Sequence, residues 1–442
     1  MTSILKTPGE AGNLSFISGV VKINGYALRD YQYFCDVFSG KIVDSSAVKL
    51  KSIVVHELTH LMDLATTNWG VEYTLRKVNM YESRGLEDFR SKFEVFMLNQ
   101  SEIVSHNYVS SRVAGRSVKD YTTLKHGLTN HEDYGPIIVI IYYCGSEEIC
   151  RVPLSMLSLL EAHATAEEYL AKSTGFGNSE DGFISLRLMK TEYSELINDD
   201  SSLEYSLLLN IVNTHFKELF EFEEELRFIS ALSRFSLDVS GFSLSGISKY
   251  YVKRFQNREV GADLCMDMCR GMSRQVIFFL TTLHIYEYLD VCSDVESNIL
   301  KNLLKSEPFK AIVYFYEVIL GISQDQGLND YEFSLGLKFM PDHGALPDKK
   351  FFTSIANKNR VILNDNCLSD IYDELHYPRI TLEDGTEVEV GRVIEGEHNQ
   401  FVVDNKYIYT EIEKIYMSSR HVKFYPVPGT GLEFFKKNGL SL

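Results

Sequence analysis

The sequence predicts an α+β protein, and three observations carry the prediction. Residues 14–43 and 136–152 alternate short apolar runs with turn residues, as strands do. From about 190 to 325 apolar residues recur at helical spacing. After about 373 the composition returns to strand formers, with Asp384-Gly385 between Ile380/Leu382 and Val388/Val390 as a hairpin turn. The expected organisation is an N-terminal domain over 1–195, a helical region over 196–350, and a short helix with a β-rich unit over 351–442.

Taken in order, Val54, Val55, Leu58, Leu61 and Met62 form the apolar side of a helix over about 47–68, which Gly70 is expected to terminate. A more polar helix follows over 71–99. Residues 136–144 (PIIVIIYYC) read as a strand, Gly145-Ser146 as its turn, and Ile149–Val152 as the return strand, with Cys144 and Cys150 able to face each other across it. Pro153 suits the first turn of a helix over 153–173. Helices are expected over 203–235, 245–260, 262–290, 293–305 and 308–322. Residues 324–350 read as irregular connection, 352–373 as a short helix, and 400–404, 406–410 and 421–426 as further strands.

Composition narrows the function classes. The net charge of −17, with basic residues scattered, disfavours nucleic acid as a partner. Seven cysteines without a CxxC pair are expected to stay reduced. The first residues lack the charged start and apolar run of a signal peptide, and the most apolar stretches are too short or too charged to span a bilayer. A cytoplasmic protein without a membrane span is the expectation. No phosphate-binding glycine loop of the Walker type occurs.

The segment Val54-Val55-His56-Glu57-Leu58-Thr59-His60 carries the chemistry. On a helix, His56 and His60 share a face and can bind one metal ion. Glu57 lies about a hundred degrees around the axis, placed to take a proton from a water on that metal rather than to ligate it. A chance match would bury two imidazoles and a carboxylate among apolar residues at a cost.

This segment resembles the active-site helix of the zincin metallopeptidases, in the gluzincin branch that includes the thermolysin-like enzymes. The resemblance implies a zincin-like catalytic domain over 1–195, Zn2+ as cofactor, Glu57 as catalytic base, and a third metal ligand from a glutamate on a second helix. Residues 160–168 (LEAHATAEE) are similar to that second motif, with Glu161 as the ligand, Ala162 and Ala164 as small neighbours, and Glu168 as a later acid. It further implies an extended peptide substrate beside a sheet edge, for which 136–144 is the candidate strand. The pattern departs from the family in two respects. About a hundred residues separate the motifs where roughly twenty are usual, and Thr165 stands where a supporting acid is expected. Asp63 or Glu168 can substitute, since metal-bound histidines donate their other N–H to an oxygen.

Glu161 also follows from the helix itself. Leu154, Leu157, Glu161, Ala164 and Glu168 form one stripe, and two acids in such a stripe need a partner. Glu72, just beyond Gly70, is the rival third ligand, and Asp63, Glu82 and Glu94 are weaker ones. His163 points about 200° away from Glu161 and is left out. The oxyanion-stabilising group stays open among many tyrosines and His106, His126, His131 and His215. The expected function is zinc-dependent hydrolysis of peptide bonds in a peptide or protein substrate. The alternative is a zinc-binding interaction or regulatory protein of the same fold without hydrolysis. The C-terminal β unit reads first as a stabilising unit, with a protein partner at an exposed sheet edge as the alternative.

Overall fold

The computed structural model describes residues 11–14, 16, 19–82, 116–131, 135–176, 180–200, 202–255, 258–269, 273–340 and 348–394. The fold is α+β, with small sheets at the margin of a largely helical body. The expected strands beyond 400 and the helix beyond 82 lie outside the described residues.

Two short strands, β1 (Gly12–Leu14) and β2 (Val21–Ile23), open the chain as an antiparallel pair. Helix α1 (Tyr31–Phe38) leads to α2 (Ser45–Thr66), whose N terminus is capped by Asp44 accepting a hydrogen bond from the Ala47 N–H at 2.8 Å. From Val54 onward α2 is buried on every side except at His56. A helix so enclosed is the centre of a fold and not its amphipathic rim.

Helix α3 (Asn68–Glu82) starts almost where α2 stops. Gly70 therefore does not terminate α2; it sits in the first turn of α3, and a Cβ there would lie 2.0 Å from the Leu64 carbonyl oxygen. The glycine permits a close approach of backbones at the corner. Thr67 caps the new helix, accepting from the Gly70 N–H at 3.1 Å.

Strands β3 (Thr123–His131), β4 (Gly135–Cys144) and β5 (Glu147–Pro153) form an antiparallel meander. β4 is its middle strand, so both of its sides are already paired and it offers no free edge. Cys150 faces Tyr142, and Cys144 faces Glu147 beside the turn, so the two cysteines are not opposite each other. Pro153 ends β5 instead of starting the next helix, α4 (Met156–Phe176).

Among the described residues ten further α-helices follow: α5 (Glu180–Leu196), α6 (Leu203–Phe216), α7 (Phe222–Asp238), α8 (Gly241–Tyr251), α9 (Arg258–Cys269), α10 (Arg274–Val291), α11 (Val295–Ser306), α12 (Pro308–Tyr314), α13 (Gln326–Phe339) and α14 (Asp348–Leu363). The helix expected over 203–235 is two helices, broken ahead of a capping box at Glu221 and Glu224. The region expected to be irregular contains α13, whose start is fixed by Asp325 accepting from the Gly327 and Leu328 N–H groups.

The last strands close back on the first. β6 (His376–Tyr377) pairs with β9 (Arg392–Val393), and β7 (Ile380–Leu382) with β8 (Glu387–Val388) around Gly385 at φ 90°. β7 also runs parallel to β2, with Ile23 opposite Leu382, giving a four-stranded sheet in the order β1-β2-β7-β8. Residues 380–388 thus complete a sheet begun at residue 12, and one continuous apolar core runs from Leu14 to Ile394.

Candidate metal centre

α2 and α4 pack side by side and present the site between them. Ala162, Ala164 and Ala166 are fully buried on α4, small residues that let helices approach closely. Across this contact the Glu161 carboxylate reaches both imidazoles: Oε2 stands 3.5 Å from His56 Nε2, and Oε1 stands 3.6 Å from His60 Nε2. One donor atom from each of the three residues lies within 4.8 Å of the others. Ligands about 2.0–2.1 Å from a tetrahedral zinc stand about 3.4 Å apart, so the three residues fit a small divalent ion.

The protonation of the site follows from its surroundings. Burial works against the charged form of His56, but the Glu161 and Glu168 carboxylates outweigh it and hold its pKa well above the usual value. Burial dominates at His60 and pushes its pKa down to about 4, leaving a neutral imidazole, the form that binds a metal. Burial raises the pKa of Glu161, yet the two imidazoles more than offset this and keep it ionised. His60 Nδ1 is buried and has no hydrogen-bond partner among the described residues, so Nε2, facing Glu161, is the nitrogen with a role.

Glu168 supports His56. Its Oε2 lies 3.1 Å from His56 Nδ1, and Lys172 donates to its Oε1 side at 2.7 Å. Burial raises the pKa of Glu168, but His56 and Lys172 together outweigh it and hold the pKa at about 2. This is the arrangement that orients a metal-binding imidazole. The spacing signal was available: Lys172 follows Glu168 by four residues, an i, i+4 pair on α4.

Glu57 lies in α2 beside this centre and is buried against β1, where a Cβ on Gly12 would come within 2.8 Å of its Cγ and Oε1. The absence of a side chain at Gly12 makes room for the carboxylate. Nothing in the sequence marks Gly12, because its neighbour is brought there only by the fold.

The rival ligands are engaged elsewhere. Glu72 accepts from Arg274 Nη2 at 2.9 Å, and Asp63 faces His163 Nδ1 at 2.9 and 3.0 Å. Glu94 lies outside the described residues, as does the side chain of Glu82. The far end of α2 is held by arginines: Arg234 and Arg360 donate to the Thr66 carbonyl at 3.0 and 2.5 Å. Cations suit a helix C terminus, where carbonyl groups lack helical partners. No described helix is long and apolar enough to cross a membrane. No protein-family model, curated protein or solved structure matches this chain.

Proposed function

We propose that this chain is a zinc-dependent hydrolase of peptide bonds. The observation that carries the reading is the meeting of Glu161 with His56 and His60 across two helices about a hundred residues apart, beside a buried Glu57 on the same turn. Two imidazole nitrogens and one carboxylate are a donor set that suits zinc and leaves a position open. A bound zinc lowers the pKa of water and polarises a carbonyl oxygen.

The chain's own residues do the rest. Glu161 and Glu168 hold His56 from its two nitrogens, so the ring cannot turn away from the centre. Glu57, given room by Gly12, would accept the proton of the attacking water and return it to the leaving amine. The partial exposure of His56, Glu161 and Glu168 keeps one side of the centre open to a substrate, while His60 closes the other.

The test is cleavage of a mixed peptide library by zinc-loaded protein, with a chelator control and a matched Glu57→Gln preparation. Hydrolysis that disappears in both controls while Glu57→Gln retains its metal supports the reading. Metal uptake without cleavage of any peptide assigns the chain to metal-dependent binding instead. Cleavage that survives in Glu57→Gln sinks the assigned role of that residue.

A further inference from the structure

A second cluster of ionisable side chains lies on the opposite flank of the α2–α4 contact. Asp63 and Glu167 are both fully buried, and His163 stands between them with only a trace of exposure. His163 is two residues after Glu161, about 200° around α4, so the cluster and the metal centre sit on different sides of one helix. Asp63 is one turn beyond His60 on α2.

The cluster divides into two ties. His163 Nδ1 faces both oxygens of Asp63, at 2.9 and 3.0 Å, and joins α4 to the turn of α2 that follows His60. Glu167 Oε1 accepts from Ser230 Oγ at 2.5 Å, and its Oε2 accepts from the Ser369 N–H at 2.8 Å. These bonds join α4 to α7 and to the segment after α14. Between the ties, His163 Nε2 and Glu167 Oε1 are 3.9 Å apart, too far for a hydrogen bond. Arg234 lies near Asp63 and Arg227 near Glu167, so each acid also faces a cation.

Two carboxylates in a dry helix interface are a poor way to gain stability, since apolar side chains of similar size would pack there at lower cost. What they supply is direction. Apolar contacts allow helices to slide, whereas paired hydrogen bonds fix their register. A metal centre needs that register, because its ligands must converge to within about 0.5 Å. Glu161 and Glu168 tie α4 to α2 from the His56 flank only, and a second tie on the other flank fixes the rotation of α4 about the contact.

We propose that Asp63, His163 and Glu167 form a positioning clamp that sets the spacing of Glu161 from the two imidazoles. None of the three touches the metal or the substrate. The inference rests on the metal-centre part of the function proposed above, not on peptide hydrolysis.

Asp63→Asn and His163→Gln in the full-length chain test it. Zinc affinity is measured by chelator competition, and the centre is probed by the visible absorption of the cobalt(II)-loaded protein. Glu225→Gln serves as control: Glu225 is a buried acid on α7 bonded to Tyr193 and Asn213, away from the clamp. The clamp variants should remain folded, bind zinc 10- to 100-fold more weakly and show an altered cobalt spectrum. Glu225→Gln should lose stability with wild-type affinity and spectrum. If both clamp variants fail to fold, Ser230→Ala removes one of the two bonds of the outer tie and should weaken zinc binding several-fold. Wild-type affinity and an unchanged spectrum in the folded variants overturn the clamp. Absence of metal uptake by the wild type overturns the metal centre itself, and the clamp with it.

Discussion

Replacing Glu168 with glutamine tests how the centre holds His56, and the structure gives both the size and the pH dependence of the effect. The substitution keeps the shape but replaces an anionic acceptor 3.1 Å from His56 Nδ1 with a neutral amide, and it removes the partner of Lys172. Losing such a support costs about 10- to 100-fold in metal affinity. At 1.36 kcal/mol per decade that is about 1.4–2.7 kcal/mol. A second effect opposes it. Glu161 and Glu168 together raise the pKa of His56, so in the wild type the metal must displace a tightly held proton. Below that raised pKa the affinity of the wild type falls about tenfold for each unit of pH. Glu168→Gln lowers the His56 pKa and relieves this competition. The deficit of the variant should therefore be largest at alkaline pH, where His56 is neutral in both proteins, and should shrink as the pH falls. Competition titrations against a chromophoric chelator at several pH values measure this. Equal affinities throughout, or a deficit that grows toward acid, would refute the reasoning.

Three further outcomes follow from the geometry. Gly12→Ala puts a Cβ within 2.8 Å of the Glu57 side chain; it should cost about 1–3 kcal/mol and reduce turnover at unchanged metal content, and wild-type turnover would show that Glu57 needs no such room. Gly70→Ala drives a methyl group to 2.0 Å from the Leu64 carbonyl and 2.6 Å from that of Asp63. It should lower the unfolding free energy by about 3 kcal/mol or more, and a change below about 0.5 kcal/mol in denaturant titration would refute the close approach. Ending the chain at Glu374 removes the strand that pairs with β2 and uncovers Ile23. The truncated protein should unfold at lower denaturant than the full chain, and an unchanged midpoint would show that the N-terminal strands need no partner.

Much of the fold class was legible because helical and strand periodicities are local. The Asp384-Gly385 hairpin, the α2 helix and the long helical region all follow from residues close in sequence. The misreadings share a cause. Gly70 and Pro153 were assigned by their commonest local roles, a helix stop and a helix start, but tertiary neighbours decided otherwise. Residues 136–144 read as an edge strand because pairing partners cannot be counted from the strand itself, and β3 turned out to cover its free side. Helix α13 was missed because its glycines and acids weaken the helical pattern, while its buried face, with Phe333 and Leu337, is set by packing.

The part of the candidate site that lies within one helix can be read from local sequence. His56 and His60 share a face, and Glu57 lies beside them, because 3.6 residues per turn leaves no alternative. The sequence also marked Glu161 and Glu168 as acids in an apolar stripe that need partners. Only the tertiary structure decided which partners those are. It set Glu161 against both imidazoles, gave Glu168 to His56, occupied Glu72 with Arg274, and joined Asp63 to the excluded His163. These choices depend on the angle and offset at which α2 meets α4, which are set by contacts across the core that include the Asp63–His163 pair, and so by residues far apart in sequence.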